Sequence, residues 1–187
     1  QVFRSFDWGS VHQEFSWHRT GKVNIAHEAI DRFASDPSME AKPCLTFEGE
    51  DRRIQFSYSR MRGLSNRFAN VLRKLGVGRG DRVAIFLPRC PEYYIAMAGC
   101  AKIGAILCPF FEALMEVALG ERLRDSGAKA VITHARMAER IPLPALSSSR
   151  WVLLVGSGEK TRRPWEFDWE REMALSSDEA EVEWVDL

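Results

Sequence analysis

Between Gly80 and Gly156 the chain sets out four short aliphatic runs, Arg82–Leu87, Ala105–Cys108, Lys129–Thr133 and Trp151–Val155, and the first three are separated by stretches of helical pattern. Strand, helix, strand, helix, strand at this spacing predicts parallel pairing through right-handed crossovers, since each intervening helix must lie on a face of the sheet. The fold class that follows is α/β: an open, mostly parallel sheet with helices on both faces.

The helical signals agree with that frame. Ser57 is a natural N-cap for a helix whose apolar stripe is Met61, Leu64, Phe68, Val71, Leu72 and Leu75, closed by Gly76 in the C′ position. Pro91 suits the first turn of a second helix, Glu92 to Ile103, which is apolar on nearly every face and therefore belongs between two layers. A third runs from about Leu114 to Asp125 and ends at Gly127. Leu64, Phe68, Ile85, Ile95 and Ile103 are the expected core.

Upstream, Ile25, Ala29, Ile30 and Phe33 recur at helical spacing before Pro37, and Cys44–Phe47 with Arg53–Phe56 reads as a hairpin across Gly49-Glu50-Asp51. Residues 1–22 hold Trp8 and Trp17 among polar residues without a period, which reads as an arm. After Val155 the chain turns polar, with a short helix expected near Trp165–Met173 and a strand-like end at Val182–Leu187.

Charge narrows the function classes. Twenty-six basic side chains balance 26 acidic ones, which argues against nucleic acid or a membrane surface as a partner held by a long-range field. Cys44, Cys90, Cys100 and Cys108 lie in or beside apolar runs without metal-ligand spacing and read as buried thiols of a reducing compartment. His12, His18, His27 and His134 form no H-E-x-x-H pattern, so no metal site is expected. No stretch reaches the roughly 18 apolar residues of a membrane-spanning helix, and a cytoplasmic location is expected.

Two glycine-rich stretches imitate phosphate-binding loops. Gly156-Ser157-Gly158-Glu159-Lys160-Thr161 places Glu159 where a P-loop needs its second glycine, and that carboxylate would repel phosphate. Gly76, Gly78 and Gly80 follow a helix and open a strand, the reverse of a dinucleotide fingerprint. No nucleophile–base pair can be assigned from spacing, so no catalytic residue is expected within this chain.

What changes the reading is a series of segments in order. Phe56-Ser57-Tyr58 opens a helix containing Ser65-Asn66-Arg67; Leu75-Gly76-Val77 and Gly80-Asp81-Arg82-Val83-Ala84-Ile85 follow. Then come Leu87-Pro88-Arg89-Cys90-Pro91-Glu92, Lys102-Ile103-Gly104-Ala105, Phe111-Glu112-Ala113 and Glu121-Arg122-Leu123. In this order they resemble the N-terminal region of the adenylate-forming acyl-CoA synthetases, above all the AMP-forming acetyl-CoA synthetase type, from about Val23 to Leu187.

That resemblance implies a ligase that activates a carboxylic acid with ATP and Mg²⁺ to an acyl-adenylate and hands the acyl group to CoA. The family's phosphate loop normally follows shortly after a position like Glu183-Trp184. Residues 23–187 are accordingly expected to be a partial adenylating domain that stops before that loop, inactive by itself. A free-standing binding or scaffolding module with the same fold is the alternative.

The resemblance also implies a CoA-binding set. The loop after Ala105–Cys108 maps Phe111, Glu112 and Ala113 onto the segment that lines the CoA channel, against the plainer reading of a strand-to-helix turn. Arg136 and Arg140, four apart on an expected helical turn, resemble an arginine pair that meets the 3′-phosphate of CoA, against a solvated surface pair.

Overall fold

A computed structural model describes residues 6–49, 52–146, 151–158 and 163–187. Five strands form one parallel sheet: β4 (Arg82–Phe86), β5 (Ile106–Pro109), β6 (Ala130–His134), β7 (Trp151–Val155) and β8 (Glu166–Asp168). They lie in the order β5-β4-β6-β7-β8, every pair parallel. The chain first steps outward from β4 to β5, then returns past β4 to lay down β6. That reversal puts a topological switch point between β4 and β6.

Alternation along the strands builds two cores. Val83, Ile85, Ala130, Ile132, Leu153 and Val155 face one side and pack with α4 (Tyr58–Lys74), α5 (Pro91–Lys102) and α7 (Trp169–Leu175). Ala84, Phe86, Val131, Val152 and Leu154 face the other and meet Leu119 and Leu123 of α6 (Glu116–Ser126). The expected fold class therefore holds, with helices on both faces of an open parallel sheet.

Helix α4 begins where Ser57 accepts a hydrogen bond from Arg60 N, and it crosses α5 at Gly99. A Cβ on Gly99 would come within 2.6 Å of Phe68 Cδ1 and 3.1 Å of the Ser65 carbonyl, so only glycine permits this approach. Phe68, Ile85, Ile95 and Ile103 are buried as expected, whereas Leu64 is half-buried and its place at the crossing is taken by Ser65, which bonds back to Met61 O at 2.8 Å.

The hairpin is present as β2 (Pro43–Glu48) and β3 (Arg53–Ser57), antiparallel; Glu50 and Asp51 of its expected turn lie outside the described residues. The segment before it is helical with a π-type turn, His27–Asp31, running into α3 (Arg32–Ala34). The arm contains α1 (Trp8–Gln13), whose N-cap Asp7 accepts from Ser10 N at 2.9 Å, and α2 (Trp17–Thr20); neither was signalled by an apolar period.

Four other expectations need correction. The short helix expected near Trp165–Met173 is present as α7 but starts only at Trp169, after strand β8. At the C-terminal end only Val185–Asp186 (β9) is a strand, antiparallel to β1 (Lys22–Val23). Of the cysteines, Cys100 is buried and the other three are half-buried, all as free thiols. Ala135–Arg140 is a 3₁₀ turn, not α-helix.

Candidate functional site

The carboxyl ends of β4 and β5 open onto a crevice of about 350 Å³, framed by Leu87 and Pro88 after β4, Tyr93 and Tyr94 at the start of α5, and Phe110 and Phe111 after β5. Open α/β sheets bind ligands at this edge, beside the switch point. Strand β5 ends at Pro109, and Phe110 N still donates to Ile85 O at 2.9 Å, so the loop leaves the sheet only at Phe111. Phe111 is consequently 70% exposed; Glu112 and Ala113 are exposed beside it.

Arg140 ties this loop to the end of β6. Its Nη1 donates to Glu112 O at 2.8 Å and to Leu114 O at 3.4 Å, while its guanidinium carbon stands 5.3 Å from the centre of the buried Phe86 ring. Among the described residues no carboxylate lies within ion-pairing distance of Arg140 or Arg136. Arg136 is exposed.

The 3₁₀ geometry separates the two arginines. Three residues complete a turn, so positions four apart point about 120° away from each other instead of sharing a face. The structure brings Arg140 together with Phe111, Glu112 and Ala113, and leaves Arg136 pointing elsewhere on the same turn.

His134 starts that turn. Its Nδ1 accepts from Arg136 N at 3.3 Å, and its ring lies so close to Gly156 that a Cβ there would sit 3.1 Å from Cε1 and Nε2. Burial, then the Arg136 charge, lower the His134 pKa against the opposing pull of Glu92 and Glu170, which keeps the ring neutral and able to accept at neutral pH. Sequence reasoning missed His134 because its cap role depends on a 3₁₀ turn that has no periodic signature.

Polar side chains also organise the opposite end of the fold. Lys102, fully buried, donates to Asp31 Oδ1 at 2.6 Å and to Asn66 Oδ1. Asn24 Nδ2 donates to Ala101 O and Glu183 O. The polar face of α4 holds the segment after α7 as a strap: Asn66 donates to Asp178 O, Arg67 to Met173 O and Ser176 O, Asn70 to Ser177 O and Glu179 O, and Arg73 to Glu181 O. These are scaffold bonds that face no cleft at the sheet's carboxyl edge. Among the described residues no group of three or more His, Cys, Asp or Glu side chains comes together to hold a metal ion.

Comparison with known proteins supplies independent findings. Residues 33–184 match the family model described as "AMP-binding enzyme". The acetyl-coenzyme A synthetase of Bacillus subtilis (strain 168) is 42% identical over 187 residues, all of this chain and 32% of that protein. The acetyl-coenzyme A synthetase of Gemmatimonas aurantiaca is 43% identical over 132 residues, 68% of this chain and 20% of its own length. Among solved structures, the Brucella canis acyl-CoA synthetase superposes with a TM-score of 0.84 at 26% identity, covering 98% of this chain and 33% of that one. The chain thus spans about a third of the length of the B. subtilis relative.

Proposed function

Because the chain belongs to the AMP-binding enzyme family, we propose that it forms part of an AMP-forming acid–CoA ligase of the acetyl-CoA synthetase type, and that the crevice at the carboxyl edge of its sheet is a wall of the CoA channel. In the reaction so proposed, a carboxylic acid and ATP give an acyl-adenylate and pyrophosphate. The CoA thiol then displaces AMP. A cytoplasmic setting goes with this reading.

ATP and Mg²⁺ are requirements of the longer ligase and find no fit in these residues: the sequence has no Thr-Ser-Gly phosphate loop, and the described side chains gather no acidic cluster. No adenylation step is assigned to them, and the chain alone is proposed to be inactive. What these residues contribute is a surface for CoA. Phe111 offers an aromatic face, Arg140 fixes the shape of the Phe111–Leu114 turn and brings a guanidinium to it, and Arg136, without an ion-pair partner among the described residues, is proposed as a second cation farther along the same turn.

The observation that carries the reading is the Arg140 bridge, a cation held by two main-chain carbonyls of the Phe111 loop with no carboxylate in ion-pairing distance among the described residues. A cation built to meet phosphate must not already be paired to an acid. The plainer reading, a strand-to-helix turn with solvated arginines, does not call for a side chain anchored across 28 residues to that loop.

Kinetics in a longer ligase carrying this chain test the assignment. Arg140→Glu should raise KM for CoA by about tenfold or more, since a charge-assisted hydrogen bond contributes about 1.5–3 kcal/mol and each 1.4 kcal/mol is tenfold. Acetate-dependent ATP–pyrophosphate exchange should stay within about twofold, because adenylation precedes CoA capture. Equal damage to both half-reactions would point to a structural role and remove the CoA assignment.

A further inference from the structure

His134 is the last residue of β6, and alternation along the strand puts it on the face of Ala130 and Ile132, the side covered by α5 and α7. Two acids face it there, Glu92 at the start of α5 and Glu170 on α7, and one cation, Arg136, stands on its own turn. The ring is half-buried and closely packed. Gly156, which follows β7 at a φ of 69°, lies where a Cβ would crowd the ring, and its N–H donates to Glu170 Oε1 at 3.0 Å. So held, the ring accepts from Arg136 N at 3.3 Å through Nδ1, which makes His134 the N-cap of the six-residue 3₁₀ turn Ala135–Arg140.

The turn that His134 starts ends on Arg140, whose guanidinium reaches across to Glu112 O and Leu114 O. A 3₁₀ run of six residues is longer than usual and its bonds are poorly aligned, so its placement depends on what holds it at each point. Met137, buried in the second core, pins the middle; Ile141 N, donating to Ala138 O at 3.1 Å, closes the far end; the His134 ring holds the start. Acceptance requires a bare Nδ1, with the one ring proton on Nε2. A second proton would set N–H against N–H at the cap and bring a positive ring up to Arg136. An asparagine or serine would cap the same amide without titrating in this range, whereas a histidine makes the cap conditional on pH.

We propose that His134 is the positioning residue of the Arg140 bridge: its neutral ring caps the 3₁₀ turn and so holds Arg140 at the Phe111 loop, and protonation of the ring releases both. Burial, ahead of the Arg136 charge, lowers the His134 pKa from 6.5, while Glu92 and Glu170 pull it back. A base held neutral by the fold keeps that arrangement complete above its unfolded value and loses it as pH falls from about 6.5 through the lower folded value. The cap is therefore whole at neutral pH and opens on the acid side. Its consequence for CoA rests on reading the chain as part of a CoA ligase; its consequence for the turn does not.

The test uses a longer ligase carrying this chain, unaltered and as His134→Asn and His134→Ala, from about pH 5.5 to about pH 8. Amide exchange of residues 111–114 and 135–140 without CoA, read by mass spectrometry, reports the bridge; KM and kcat for CoA report its use. Asparagine offers Oδ1 where Nδ1 stood and has no proton to gain. Compared with His134→Asn at each pH, which cancels the titration of CoA's own phosphates, the unaltered protein should exchange both segments faster only on the acid side, and raise KM for CoA about fivefold there with kcat held. His134→Ala should show the same loosening and the same rise at every pH. Asparagine and alanine variants that behave alike, or no acid response in either segment, would overturn the proposal. If exchange responds as expected while KM for CoA stays flat, the pH-set bridge stands and the channel assignment falls. If Arg140→Glu raises KM for CoA while the His134 variants leave exchange unmoved, the channel stands and this proposal falls.

Discussion

Lys102 has no access to solvent, and its ammonium is satisfied by Asp31 and Asn66. Burial pulls its pKa below the ordinary value of 10.5, and the Asp31 carboxylate pulls it back. The bonded trio joins the π-type turn, α4 and the end of α5, so removing one member strands the others. Lys102→Ala should lose about 3–5 kcal/mol in denaturant unfolding, as expected when a buried pair is broken from one side. A loss under about 1 kcal/mol would mean the trio is not held as described. At the turn after α4, Asp81 accepts from Gly78 N at 2.9 Å and from Lys129 Nζ at 2.7 Å, and those bonds, the lysine's first, lower its pKa from 3.8. A carboxyl with a depressed folded pKa adds stability that is complete above its unfolded value. That stability is lost as pH falls from about 3.8 through the lower folded value. Asp81→Asn should therefore flatten the acid limb of a stability–pH curve over that window; an unchanged limb would contradict the pairing. At this scale the sequence supplied Phe111 and Arg140 only through a family resemblance. A bond from Arg140 to a carbonyl 28 residues away leaves no trace in spacing.

The elements that were legible in advance are those with a period or a punctuating residue. Helix α4 runs from its Ser57 cap to Gly76, and β4 was bounded by Pro88. Less legible were elements defined by something other than periodicity. The 3₁₀ turn at Ala135–Arg140 is too short to show one, β8 is three residues long, and the strap is fixed by side chains reaching its main chain. Asn66, Asn70 and Arg73 look like a solvated helix face until the strap's carbonyls are seen against them. The crossing of α4 and α5 gives the prediction that belongs here. Gly99→Ala places a methyl 2.6 Å from Phe68 Cδ1, and overpacking of this kind costs about 1–3 kcal/mol. A neutral substitution by chemical denaturation would mean the two helices can separate more easily than the buried Phe68 and Ser65 imply.

For the whole molecule, the order of aliphatic runs was enough to fix the layers, because parallel strands need crossovers and crossovers need covered faces. It was not enough to fix where the proposed site lies. That depended on strand order, which places β5 outside β4 and so sets the Phe111 loop beside the switch point. If this edge is the proposed wall of the CoA channel, Arg140, held at the Phe111 loop and without a carboxylate partner among the described residues, is the cation that meets a phosphate. The most direct measurement compares KM for CoA with KM for 3′-dephospho-CoA in a longer ligase carrying this chain, before and after Arg140→Ala. The unaltered protein should prefer CoA by about tenfold, as one charge-assisted contact allows, and the substitution should erase the preference by weakening CoA alone. The same preference in both proteins, or none in either, would contradict it.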